Sequence, residues 1–228
     1  MSDTVSREFW DRKILRWEED KYAPATNAIG RLVDVNRSLK MRMRLAERIL
    51  SQTVRNRTVL EIGCGTARLL PTIIACGATK YIGVDVSGLA IDRARLRAED
   101  VGGNASIELY QGDVTSLSET SPDLCFSLGL LDWLDPEAIA EMNRRIQCRY
   151  YFHSFSERRR SVQLLLHQMY VYCLYGHRTK SYVPRYYTST EMAEIFQSGY
   201  GSAPQCFRSP ELSFGSLVFQ LPNEIKVN

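Results

Sequence analysis

The densest chemistry in the sequence lies in Val59-Leu-Glu-Ile-Gly-Cys-Gly-Thr-Ala-Arg-Leu69. An apolar run carrying Glu61 is followed by Gly63 and Gly65, which permit a tight turn and let backbone approach a ligand before a helix begins. Alone, a Gly-x-Gly after a strand is as readily a plain turn. The context adds two further acids. Tyr81-Ile-Gly-Val is closed by Asp85, 20 residues beyond Gly65, where a carboxylate accepts hydrogen bonds from the hydroxyls of a ribose. Tyr110-Gln-Gly-Asp113-Val114 sets another acid after a third apolar run. Three carboxylates at successive strand ends describe one nucleoside-type site.

Proton-transfer groups are fewer. His153, in Phe152-His153-Ser-Phe-Ser156, stands where the fifth strand ends, and an imidazole there could take a proton from an attacking hydroxyl or amine. The competing reading is a half-buried strand residue bonded to backbone. His167 shares a helical face with Gln163 and Tyr170 and is a second candidate base; His177 is a third. Asp132 and Asp135 read as a turn and as an N-cap before Pro136. The six cysteines are widely spaced, with no CxxC pair, which argues against a zinc site or a disulfide framework and for a reducing, cytoplasmic setting. No metal is expected.

The elements that must position these residues follow from periodicity. Trp10, Ile14 and Trp17 fall on one helical stripe, and Leu39, Met43, Ala46 and Leu50 on another after Asn36, a plausible N-cap. From residue 58 short apolar runs alternate with helical segments: strands at 58–62, 81–84, 105–110, 124–128 and 148–153, and helices at 67–75, 87–99 and 136–145. That alternation indicates a parallel sheet covered on both faces. Val162, Leu165, Leu166, Met169 and Cys173 then form a helical stripe. A second helix starts at Thr188, where Thr188-Ser-Thr-Glu191 has the form of a capping box, and 205–208 pairs antiparallel with 213–220. The division expected is an N-terminal helical lid at 1–57 and a domain at 58–228 with a cap inserted at about 156–187.

Composition bounds the reading. The 228 residues are 44% apolar and 24% charged, globular usage with enough chain to bury a core without disulfides. The first residues hold no apolar stretch of signal-peptide type, and 162–176 is interrupted by Gln163, His167 and Gln168, so no membrane span is expected. The net charge of +3 conceals a division: 1–57 carries +5, 58–143 carries −8, 144–185 carries +8 and 186–228 carries −2. The basic stretch follows strand five, where it would overhang a ligand crevice. With Tyr170, Tyr172, Tyr175, Tyr182, Tyr186 and Tyr187 it could receive a flat or anionic molecule, or be a solvated lid.

On Glu61, Gly63, Gly65, Asp85 and Asp113, with Ala67 at the third-glycine position, the sequence resembles the class I S-adenosylmethionine-dependent methyltransferases. The resemblance implies a Rossmann-like doubly wound, seven-stranded, mainly parallel sheet whose last strand is antiparallel. It assigns Gly63 and Gly65 to the loop under the methionine part of S-adenosylmethionine, Asp85 to the ribose and Asp113 to the adenine amino group. It makes Val86 and Val114 ring contacts, sets Leu128 near the cofactor and has Glu61 orient the loop. A nicotinamide-binding domain is disfavoured, because Arg68 holds the third glycine position of Gly-x-Gly-x-x-Gly and Glu61 would repel a pyrophosphate. Base methylation is disfavoured by Ser127-Leu-Gly-Leu-Leu-Asp-Trp-Leu-Asp135 in place of an Asn/Asp-Pro-Pro-Tyr/Phe motif.

The N-terminal helices, Ser154-Phe-Ser and Tyr186-Tyr187 are similar to the magnesium-protoporphyrin O-methyltransferases, which would bring Tyr22 and Arg42 or Arg44 near the cofactor carboxylate. The expected activity is methyl transfer to a hydroxyl, carboxylate or amine of a small, anionic or aromatic molecule. Nucleic acid is not the expected acceptor, and a nucleic-acid or protein methyltransferase or a non-catalytic cofactor-binding subunit are the alternatives.

Overall fold

The computed structural model describes residues 7–12, 35–113, 120–159, 164–165, 168–169 and 184–227. Seven strands, β1 Thr58–Ile62, β2 Lys80–Asp85, β3 Ser106–Gln111, β4 Leu124–Leu128, β5 Tyr150–Ser156, β6 Gln205–Arg208 and β7 Gly215–Gln220, form one sheet in the order β3-β2-β1-β4-β5-β7-β6. The first five run parallel, β7 is antiparallel to β5, and β6 is antiparallel to β7. Five helices accompany them: α1 Val35–Thr53, α2 Leu70–Ala75, α3 Gly88–Glu99, α4 Pro136–Arg145 and α5 Ser189–Tyr200. Residues 7–12 are also helical. This is the doubly wound, mainly parallel arrangement expected from the alternation of runs.

Side-chain alternation divides the core between the two faces of the sheet. Val59, Phe126, Phe152, Leu217 and Phe219 pack against Leu45, Ala46, Ile49 and Leu50 of α1 and against Leu70 and Ile73 of α2. Leu60, Ile62, Cys125, Tyr151, Phe155 and Val218 face Ile139 and Met142 of α4 and Met192 and Phe196 of α5. Because β1 has β2 on one side and β4 on the other, the chain reverses its winding there, and a crevice opens at the carboxyl ends of β1 and β4.

Local chemistry fixes where helices start. Ser87 caps α3 by accepting from Ala90 N at 3.2 Å, and Asp135 caps α4 by accepting from Ala138 N at 2.8 Å with Pro136 next in line. Thr188 and Glu191 form the reciprocal capping box that starts α5, and Gly201 at φ +73° ends it.

Several expected boundaries move, three of them with consequences. The helix after β1 begins at Leu70 rather than Ala67, because residues 63–69 are taken up by the turn. Asn36 lies inside α1, which already starts at Val35. Strand β5 extends to Ser156, held by its pairing with β7 from Tyr151–Gln220 to Ser156–Gly215. His153 is therefore in mid-strand rather than at its end. In the basic insertion, 164–165 and 168–169 are helical, and the rest of that stripe lies outside the described residues. Among the described residues no helix is long and apolar enough to cross a membrane, and no group of acids, histidines and cysteines could hold a metal ion.

Candidate functional site

The glycine turn is built from three residues with positive φ: Gly63 at +68°, Gly65 at +55° and Ala67 at +52°. Gly63 N and Cys64 N both donate to Val84 O, at 2.8 and 3.1 Å, which carries the β1–β2 pairing into the loop. A Cβ on Gly63 would stand 3.4 Å from Leu130, so this turn lies directly beside the loop that leaves β4. On its far side Arg97 of α3 donates to Thr66 O and, at 2.7 Å, to Thr66 Oγ1.

Asp85 joins the loop to the end of β2. Its Oδ2 accepts from Gly65 N at 2.8 Å and its Oδ1 from Ser87 N at 2.9 Å. The carboxylate is thereby fixed in orientation, inside the crevice and almost fully buried. Glu61, also buried, accepts from Tyr81 Oη at 2.5 Å. Burial, followed by the charge of Glu61, pushes the Tyr81 phenol well above its ordinary pKa, so Tyr81 stays a donor and holds that carboxylate under the turn. Val86 follows directly, half-buried, its carbonyl accepting from Gln111 Nε2 at 3.3 Å. Asp113 is half-buried just past β3, and Leu128 half-buried at the end of β4. These positions share one end of the sheet, whereas Tyr22, Val114 and His167 lie outside the described residues.

Residues 59–148 match the family described as a methyltransferase domain. Over those residues the chain carries a methyltransferase domain, and its fold is that of the class I S-adenosylmethionine-dependent enzymes. No curated protein matches the sequence. Among solved structures, the magnesium protoporphyrin IX methyltransferase of Synechocystis PCC 6803 with bound S-adenosylhomocysteine is 14% identical. That alignment covers 96% of this chain and 98% of that one, with a TM-score of 0.70. The same enzyme with bound S-adenosylmethionine is 16% identical over 96% of each chain, with a TM-score of 0.66. A methyltransferase of Thermotoga maritima, described as a possible histamine N-methyltransferase, is 14% identical over 93% of this chain and 97% of that one, at 0.59. At these identities the likeness is one of fold.

The methyltransferase crevice does not receive His153. Its ring is fully buried beneath α5, against the Tyr151 and Phe196 rings with centroids at 5.9 and 5.3 Å. Nδ1 lies 2.8 Å from Ser127 Oγ, and Nε2 has no partner among the described residues. Burial lowers the imidazole to about 3. The expectation of a base at this position fails on geometry, because odd-numbered residues of β5 face the α5 side and the strand runs three residues further.

Even-numbered residues of β5 face the other way, and Ser156 joins a cluster around Asp132, a residue whose sequence context predicts only a turn. Asp132, in the 3-10 turn Leu131–Trp133, accepts from Ser156 N on Oδ1 at 2.6 Å and from Ser156 Oγ on Oδ2 at 2.7 Å. Arg42, delivered from α1, places Nη1 3.9 Å from Asp132 Oδ2 and Nη2 3.5 Å from Ser156 Oγ. All three side chains are buried. Arg42 thus reaches the ends of β4 and β5, where a protein carboxylate meets it. An apolar-run exit followed by Asp-Trp was the available signal for Asp132, and nothing local announced its pairing with a residue 90 positions earlier.

The helical segment 7–12 spans this end of the sheet. Asp11 Oδ1 accepts from Ser87 Oγ at 2.6 Å and Leu89 N at 3.4 Å, reinforcing the N-terminus of α3, where a negative charge is favourable. Trp10 and Phe9 meet Trp133 with ring centroids at 5.0 and 5.6 Å.

Proposed function

We propose that the protein transfers the methyl group of S-adenosylmethionine to a hydroxyl, carboxylate or amine of a small, anionic or aromatic molecule. The observation that carries the cofactor half is the Asp85 carboxylate locked between Gly65 N and Ser87 N beside a turn that three positive-φ residues shape. The residues present fit the cofactor. The turn at Gly63 and Gly65 would lie under the methionine chain, Asp85 would take the ribose, Val86 and Leu128 would flank the ring and the chain, and Asp113 would take the adenine amino group. Glu61 supports the turn through Tyr81 and adds negative charge, which favours a sulfonium cation. Arg42 would take the amino-acid carboxylate, with Tyr22 and Val114 completing the set.

S-adenosylmethionine supplies an electrophilic methyl group on a positively charged sulfur. The protein's part is then to hold the acceptor in line with it, and positioning alone can contribute most of the acceleration. His153 is sealed away from the crevice, and His167 is the candidate base in the cap. The aromatic surface of Phe9, Trp10 and Trp133 and the +8 charge of residues 144–185 support a flat or anionic acceptor, with the segment 7–12, pinned by Asp11, covering it, while α1 is a wall of the core rather than a lid. The protoporphyrin handled by the Synechocystis enzyme has both features. Widely spaced cysteines support a reducing, cytoplasmic setting.

The test is the thermal unfolding midpoint with S-adenosylmethionine, S-adenosylhomocysteine or NAD, and with Asp85→Ala as control. Ligand at about 100 times its dissociation constant adds roughly 2.7 kcal/mol. A rise with the first two that vanishes in the variant upholds the site, and a rise with NAD alone rejects it. Acceptor binding that falls steeply with salt would turn the reading to a nucleic acid.

A further inference from the structure

Buried ion pairs contribute little net stability, since desolvation offsets the attraction, and apolar replacements are often as stable. A guanidinium and a carboxylate sunk together at the ligand end of a sheet therefore call for another explanation than folding. Arg42 comes from outside the strand-and-helix repeat, reaches the ends of β4 and β5, and is buried there with Asp132 and Ser156. Gly215 is shaped around it: a Cβ at that position would lie 2.7 Å from both Arg42 Nε and Nη2. Burial raises the Asp132 pKa, while Arg42 and the bonds from Ser156 oppose that shift.

Asp132 lies two residues beyond Leu130, whose side chain would lie 3.4 Å from a Cβ on Gly63 of the cofactor turn. The pair and the turn accordingly flank one crevice. A planar guanidinium with five donors suits a carboxylate ligand, and its fork is useful only if its plane is held.

Resting on the methyl-donor reading above, we propose that Asp132 is a positioning residue that, with Ser156 and the cleared space at Gly215, orients the Arg42 guanidinium toward the carboxylate of the cofactor's amino-acid end. Asp132 does not itself touch the cofactor. Its effect is felt only by ligands that carry that carboxylate.

Two probes separate this role from a structural one: S-adenosylhomocysteine, which has the amino-acid end, and 5′-methylthioadenosine, which lacks it. Calorimetric titration of the wild type, Asp132→Asn and Gly215→Ala gives the affinity ratio of the two probes. Loss of one charge-assisted bond corresponds to about tenfold or more. Both variants are expected to lose about that factor for S-adenosylhomocysteine while keeping methylthioadenosine binding. Should Asp132→Asn not fold, Gly215→Ala still displaces the guanidinium without removing a charge. A ratio unchanged from wild type in a folded variant, or an equal loss for both probes, overturns the proposal. Wild-type protein that binds neither probe overturns the methyl-donor reading instead.

Discussion

His153→Asn isolates a buried titration. The asparagine can keep the contact to Ser127 Oγ, made by Nδ1 at 2.8 Å in the wild type, and it does not ionise. The folded imidazole is lowered from 6.5 to about 3 by burial, whereas in the unfolded chain it takes a proton below pH 6.5. Below that pH the unfolded state binds more protons, so stability falls as pH falls, by about 1.4 kcal/mol per unit, and the loss ends near the folded value. At pH 5 the contribution is about 2 kcal/mol, which for a chain of this size lowers the midpoint by roughly 4–8 °C. Other groups, such as Glu157 with its Arg208, Ser189 and Ser216 partners, titrate alike in both proteins and cancel in the difference. The assay is urea unfolding at pH 5.0, 6.0, 7.0 and 7.5. The wild-type minus variant stability should slope below pH 6.5 and be flat above. Parallel profiles over the whole range would show that the imidazole is hydrated and reject the burial argument, and with it the exclusion of His153 from proton transfer. The same variant should retain its turnover.

Three further perturbations probe other parts. Ala67 is fully buried at φ +52°, a conformation that costs an L-residue about 1–2 kcal/mol. In Ala67→Gly relief of that cost is offset by added chain entropy and by a lost buried methyl of about 0.8 kcal/mol, so stability should change by less than about 1 kcal/mol; a loss of about 2 kcal/mol or more in urea unfolding would contradict the strain. Asp85→Ala removes the acceptor of two backbone donors and should weaken S-adenosylhomocysteine about tenfold to a hundredfold, and unchanged calorimetric affinity would sink the ribose assignment. Asp11→Ala releases residues 7–12 from Ser87, so tryptic cleavage after the exposed Arg7 and Arg12 should quicken by several-fold; equal digestion rates would mean that the aromatic contacts to Trp133 hold the segment alone.

The Gly63–Gly65 turn and its tie to Asp85 were legible in the sequence because their geometry is local. A turn needs its glycines consecutive in the chain, and a carboxylate that serves a ribose must end the next strand, so Gly63, Gly65 and Asp85 announce one another by spacing. Strand ends failed where tertiary pairing set them: β5 continues to Ser156 only because β7, some 60 residues later, supplies a partner. That extension decides the chemistry, since a strand exposes alternate faces and its length determines which residues reach the rim. His153, the expected base, is sealed under Phe196, while Ser156 takes the rim with Asp132. Arg42 and Asp132 were each visible as a charge in an apolar pattern, but their partnership spans β1 to β4 and no period encodes it. On the proposed reading acceptor choice is harder to read for the same reason: it would draw on side chains of α1, the turn after β4 and the rim of β5, which lie far apart in sequence. On that reading each of those can change without disturbing the Gly63–Gly65 turn and Asp85, so the signal for the donor is compact in the sequence while that for the acceptor is dispersed.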